Sequence, residues 1–61
     1  MKKLIIADVI GKTREEAQKA VDVSGFMAQF YTYADELTTD IKFNRVRILL
    51  VDDLVNKVDF G

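Results

Sequence analysis

The chain has 61 residues, nine basic against ten acidic for a net charge of -1, and neither cysteine nor histidine. A chain this short forms one domain, residues 1–61, that buries only about 60 % of the surface it exposes when unfolded, and no disulfide staples it. Zinc sites built on Cys or His, thiol nucleophiles and a histidine general base are excluded, Ser24 has no His to activate it, and the charge balance gives no footprint for nucleic acid.

Met1-Lys2-Lys3 followed by Leu4-Ile5-Ile6-Ala7 mimics the opening of a signal peptide, but Asp8 ends the apolar run too early. No segment is long and apolar enough to span a membrane, and no membrane partner is expected. The chain is cytoplasmic if Met1 is native and secreted if a leader has been removed. Thr13 followed by Glu16 reads as a capping box. Ala17, Ala20 and Val21 then supply one apolar helical face, and Gly25 suits a left-handed stop. These signals predict a helix over about residues 13 to 23. Lys12 and the Arg14-Glu15-Glu16 run read as its solvated surface.

Phe26 to Tyr33 is rich in aromatics and reads as a strand. Its Phe26, Phe30, Tyr31 and Tyr33 are expected to pack the core on one face and cover the loop on the other, because a base-stacking platform needs a basic groove. Ala34 to Lys42 has no clean period and reads as an exposed loop. Asn44 to Val51 is the strongest strand. Alternation along it puts Arg45 and Arg47 on one face and Val46, Ile48 and Leu50 on the other. Asp52-Asp53 reads as a turn, since an isolated acidic pair lacks the ligand pattern of a calcium site. Leu54 to Phe60, apolar at 54, 55, 58 and 60, is a short last strand. Helix, strand, long loop, strand, turn, strand is the order of a small α+β domain. The long connection leaves room for a crossover and hence for a parallel strand pair.

The chemistry concentrates in residues 38 to 47. Thr38 and Asp40 place two acceptors on either side of Thr39, and Arg45 and Arg47 follow on one strand face. Arginine forms short charge-assisted bonds to carboxylates and holds them with a rigid fork. Alone, the two arginines would read as the solvated face of an edge strand; with Thr38 and Asp40 upstream, a loop-bracing role for Thr38, Asp40, Arg45 and Arg47 is preferred. No paired-carboxylate motif accompanies them. The chain reads as a binder and not an enzyme, with no catalytic residue, cofactor or metal.

This block resembles the reactive-site region of the potato inhibitor I family of serine protease inhibitors, the family of eglin and the barley chymotrypsin inhibitors. Val9-Ile10-Gly11-Lys12-Thr13-Arg14-Glu15-Glu16-Ala17 is similar to that family's Val-Gly-Lys-Thr/Ser entry into its only helix. Thr38-Thr39-Asp40 is similar to the Thr-X-Asp/Glu around its scissile bond. Asn44-Arg45-Val46-Arg47 is similar to the strand after its loop, and the chain ends in Gly61 as members do. The chain departs in a slightly shorter segment between helix and reactive site, in a compressed last hairpin, in Asp59 where many members carry proline, and in Ala7-Asp8 where Trp or Phe-Pro is usual. In style it is closer to compact bacterial relatives.

The resemblance implies one helix packed on a small sheet with a parallel central strand pair and an extended exposed reactive-site loop. It implies a scissile bond at Thr39–Asp40, protease contacts through Glu36, Leu37, Thr38, Thr39, Asp40, Ile41 and Lys42, and bracing by Arg45 and Arg47. A small β-branched Thr39 suits a subtilisin-like or elastase-like serine protease better than a deep aromatic or trypsin-like pocket. The inhibitor would act as a monomer. A rival resemblance covers the first half only: Asp8 to Thr13 and Ser24-Gly25-Phe26 are similar to the start of a PASTA domain, a module that binds cell-wall muropeptides.

Overall fold

The computed structural model of the chain describes residues 3–37 and 39–61. One helix, α1 (Arg14–Val23), packs against a sheet of three strands, β1 (Met27–Tyr31), β2 (Arg45–Val51) and β3 (Leu54–Phe60). The strand order is β1-β2-β3, with β1 parallel and β3 antiparallel to β2. The fold is therefore α+β, the class the element order predicts, with the parallel central pair that the long connection leaves room for.

Local chemistry sets the limits of α1. The Thr13 hydroxyl accepts from the Glu16 N–H at 3.3 Å and donates to the Glu16 carboxylate at 3.0 Å. This is a variant of the expected capping box, because Glu16 meets the Thr13 hydroxyl rather than its backbone N–H. At the other end Gly25 adopts a φ of 81°. The Phe26 N–H reaches the Val21 carbonyl and the Gly25 N–H the Asp22 carbonyl, at 3.3 and 3.1 Å, which is a Schellman closure. Between these ends Ala17 and Val21 are wholly buried. Arg14 is not simply solvated, since its guanidinium lies 4.8 Å from the centre of the Phe30 ring.

The core lies between α1 and one face of the sheet. Val9, Ala17, Val21, Val46, Ile48, Val55 and Val58 form it, with Leu4, Phe26, Phe30 and Leu50 packed around it. Phe26 and Phe60 meet edge to face with centroids 5.5 Å apart. The buried positions of β3, Val55 and Val58, break strict alternation. The cause is a bulge: Leu49 pairs with Lys57 but Leu50 with Val55, so Asn56 is the extra residue.

Two elements differ from expectation. β1 ends at Tyr31 rather than Tyr33, because the Asp35 carboxylate accepts from the Thr32 N–H at 2.8 Å and a turn replaces the ladder. Tyr33 consequently sits in that turn and is exposed, covering nothing. The second is the N-terminal segment, for which the sequence predicts no element. It forms a short 3-10 turn at Ile6–Asp8, buries Val9 completely and joins the outer edge of β3. The Gly11 N–H donates to the Val55 carbonyl at 2.8 Å and the Val55 N–H to the Lys12 carbonyl at 2.9 Å.

The β2–β3 turn holds Asp52 and Asp53 at φ of 53° and 64°, both left-handed. A two-residue hairpin with both central residues left-handed favours Asn-Gly or Asp-Gly, because only glycine accepts this backbone without a Cβ penalty. We expect Asp53→Gly to stabilise the fold by about 0.5–1 kcal/mol, net of the extra freedom glycine gives the unfolded chain. In a domain this small that is a rise of roughly 2–8 °C in thermal midpoint, readable by circular dichroism. An unchanged or lowered midpoint would show that the Asp53 side chain supports the turn more than its backbone strains it.

Candidate functional site

The connection of residues 32–44 is the site, and the sheet dictates its course. Because β1 and β2 run parallel, the chain must return along the sheet before β2 begins. The helix covers one face, so the return passes the other, where alternation places Arg45, Arg47 and Leu49. This face is not open solvent. Leu49 is buried, and the Arg45 and Arg47 side chains are only 10 % and 14 % exposed.

Both arginines converge on Asp40. The Arg45 Nη1 lies 3.2 Å from Asp40 Oδ2, and the Arg47 Nη2 lies 3.7 Å from Asp40 Oδ1. The grip extends to the backbone: Arg45 Nη2 donates to the Asp40 carbonyl at 2.7 Å and Arg47 Nη2 to the same oxygen at 3.3 Å. Arg45 also reaches the end of β3, where its Nε and Nη2 donate to the Gly61 main-chain oxygen at 2.9 and 2.6 Å. The Gly61 N–H in turn donates to the Arg45 carbonyl at 2.9 Å. Gly61 is thus a site residue that sequence reasoning noted only as a matching terminus. No local signal ties it to an arginine sixteen positions earlier.

Asp40, Arg45 and Arg47 are brought together as expected, and Asp40 meets both arginines rather than one. Thr38, the other expected bracing acceptor, lies outside the described residues. Glu36, Leu37, Thr39, Ile41 and Lys42 are all exposed along the loop. Downstream the loop is fixed again: the Arg45 N–H donates to the Lys42 carbonyl at 3.2 Å, and the Met27 N–H to the Asn44 carbonyl at 2.7 Å. Upstream, the Thr32–Asp35 turn anchors the start, with the Asp35 N–H donating to the Thr32 carbonyl at 3.1 Å. The arrangement presents exposed loop residues on fixed supports, with a carboxylate and a main-chain oxygen held by paired guanidinium groups.

Compared with known proteins, the sequence matches no family model, and no curated protein matches it.

The sequence treats Arg45 and Arg47 as equivalent, each removable with the fold largely intact because both face away from Val46, Ile48 and Leu50. The geometry separates them, since Arg45 bonds both the loop at Asp40 and the main-chain oxygen of Gly61. Arg45→Ala should lower stability by roughly 1.5–3 kcal/mol, the range for hydrogen bonds to charged groups. Arg47→Ala removes a 3.3 Å bond to the Asp40 main-chain oxygen and a 3.7 Å contact to its carboxylate, without touching Gly61, and should cost less than Arg45→Ala. Thermal midpoints of the two variants decide this; equal losses would remove the distinct role of the Gly61 link.

Proposed function

We propose that this chain is a serine protease inhibitor of the potato inhibitor I type. It binds a subtilisin-like or elastase-like enzyme in a substrate-like manner, with Thr39 entering the primary specificity pocket and Thr39–Asp40 as the scissile bond. The observation that carries this reading is the double grip on Asp40. The residue immediately after the proposed scissile bond is held by both side chain and main chain.

The mechanism is preorganisation. A loop already held on fixed supports loses less conformational freedom on binding, so more of the contact energy appears as affinity. Hydrolysis would add water across the Thr39–Asp40 peptide, leaving a carboxylate on Thr39 and an amine on Asp40. The arginines hold the Asp40 side, which would keep the new amine near the Thr39 carboxylate and let religation compete with release. The residues shared with the rival cell-wall module have structural duties here. Val9 is core, Gly11 takes a left-handed turn at φ 83°, and Thr13 caps the helix.

The test is inhibition of a panel of serine proteases by the purified chain, with mass spectrometry to locate any slow cleavage. The pocket-filling residue should set the target. Thr39→Leu should improve inhibition of subtilisin- and chymotrypsin-like enzymes, and Thr39→Lys should redirect it to trypsin. An inhibition profile indifferent to both substitutions would place the contact elsewhere, and saturable muropeptide binding without any protease effect would favour the cell-wall reading.

A further inference from the structure

Two of the most exposed large hydrophobic side chains of the chain stand two residues apart, Ile41 at 86 % and Phe43 at 92 % exposure. Isolated apolar residues on a surface are ordinary, but a pair presented on fixed backbone is the composition of a recognition surface. The backbone here is fixed on both sides of Phe43. The Lys42 carbonyl accepts from the Arg45 N–H, so Phe43 sits within a closed turn, and the Asn44 carbonyl accepts from the Met27 N–H. The Asn44 amide also lies 3.6 Å from the Met27 sulfur. Ile41 follows Asp40, which two arginines hold, and its Cγ2 lies 3.8 Å from the place a Gly61 Cβ would occupy. An aromatic ring on such a support loses little freedom when a partner covers it.

Thr39, by contrast, offers a primary pocket little apolar area, so an inhibitor of this design must draw its affinity from elsewhere. We infer that Phe43, together with Ile41, is the main anchor for the partner: a serine protease with an apolar surface on the leaving-group side of its cleft. The inference rests on the inhibitor reading and extends the contact beyond Lys42 to Phe43. It inverts the expected order of importance, making the leaving side the source of affinity and Thr39 the source of selectivity. The surface is continuous with the proposed reactive segment, so a single partner covers both.

The experiment measures inhibition constants of Phe43→Ser, Ile41→Ser, Phe43→Leu and Thr39→Ala against a subtilisin-like and an elastase-like enzyme, each beside its thermal midpoint. Phe43→Ser should weaken inhibition by about 10- to 100-fold, the loss for withdrawing a large apolar side chain from an interface. Ile41→Ser should fall in the same range, and Phe43→Leu should restore most of the affinity. Thr39→Ala should lose about fourfold, as for a single methyl-sized group. Midpoints of the Ser variants should stay within a degree or two of the parent, since neither side chain is buried. If Phe43→Ser stays within twofold of the parent while Thr39→Ala loses more, the inference is overturned and the inhibitor reading stands. If neither the parent nor Thr39→Leu inhibits any enzyme of the panel, and Thr39–Asp40 is never cut, both fall together.

Discussion

One guanidinium group, that of Arg45, touches both the loop and the end of β3. Its Nη2 is shared between the main-chain oxygens of Asp40 and Gly61, while Nη1 faces the Asp40 carboxylate. A buried cation is costly unless every direction finds an acceptor, and here the acceptors come from opposite ends of the second half of the chain. The loop and the end of β3 are thereby positioned by the same planar fork. Moving either one leaves charge unsatisfied, so the two settle together. This supplies order on the face that has no helix to cover it, where β2 contributes buried Leu49 and half-buried Val51 beside the two arginines.

The parallel pairing of β1 with β2 explains why the loop exists. Antiparallel neighbours are joined by a two-residue turn, as β2 and β3 are at Asp52-Asp53; parallel neighbours require the chain to travel back the length of a strand. Five residues of β1 at about 3.3 Å each set a return of roughly 16 Å. With α1 occupying one face, the return takes the other, past the first and third residues of β2. These are Arg45 and Arg47, and the residue passing them is Asp40. The course of the segment therefore follows from topology as much as from its own residues, and a loop of about a dozen residues with neither helix nor strand is where function is commonly placed.

The parts legible in the sequence are those carried by local signals. Thr13, Glu16 and Gly25 delimit α1, period-two alternation reveals β2 and the arginine face, and Asp40 before two same-face arginines announces the grip. The parts that were not legible depend on contacts between distant residues. The early end of β1 follows from Asp35 capturing the Thr32 backbone, a competition between side chain and ladder that propensity does not register. The bulge at Asn56 appears in the sequence only as an irregular apolar spacing at 55 and 58. The docking of Gly11 and Lys12 on β3 is made by main-chain groups, which carry no residue-type signature. The bond between Arg45 and Gly61 is likewise a main-chain acceptor found at long range. Exposure of Ile41 follows from reading Ala34 to Lys42 as a loop, but that of Phe43 could not be read, because an apolar residue between loop and strand is as consistent with a small buried cluster as with a surface.

A chain of this size has few large apolar residues, and leaving Ile41 and Phe43 in water forgoes about 1.5–3 kcal/mol of burial apiece. That is a large share of the stability a domain this small retains. The fold holds its shape because its two faces are stabilised by different means. The helix face is packed mainly from valines around Ile48 and Ala17, with Phe26, Phe30 and Leu50 against them. The opposite face replaces apolar contact with a charge-assisted network anchored on backbone oxygens. That substitution frees the loop's apolar side chains from duty in the core. The cost falls on the arginines, and that of burying Arg45 is offset by its bonds to Asp40 and Gly61. The contacts that stabilise this face of the fold are therefore the same contacts that hold the loop at Asp40.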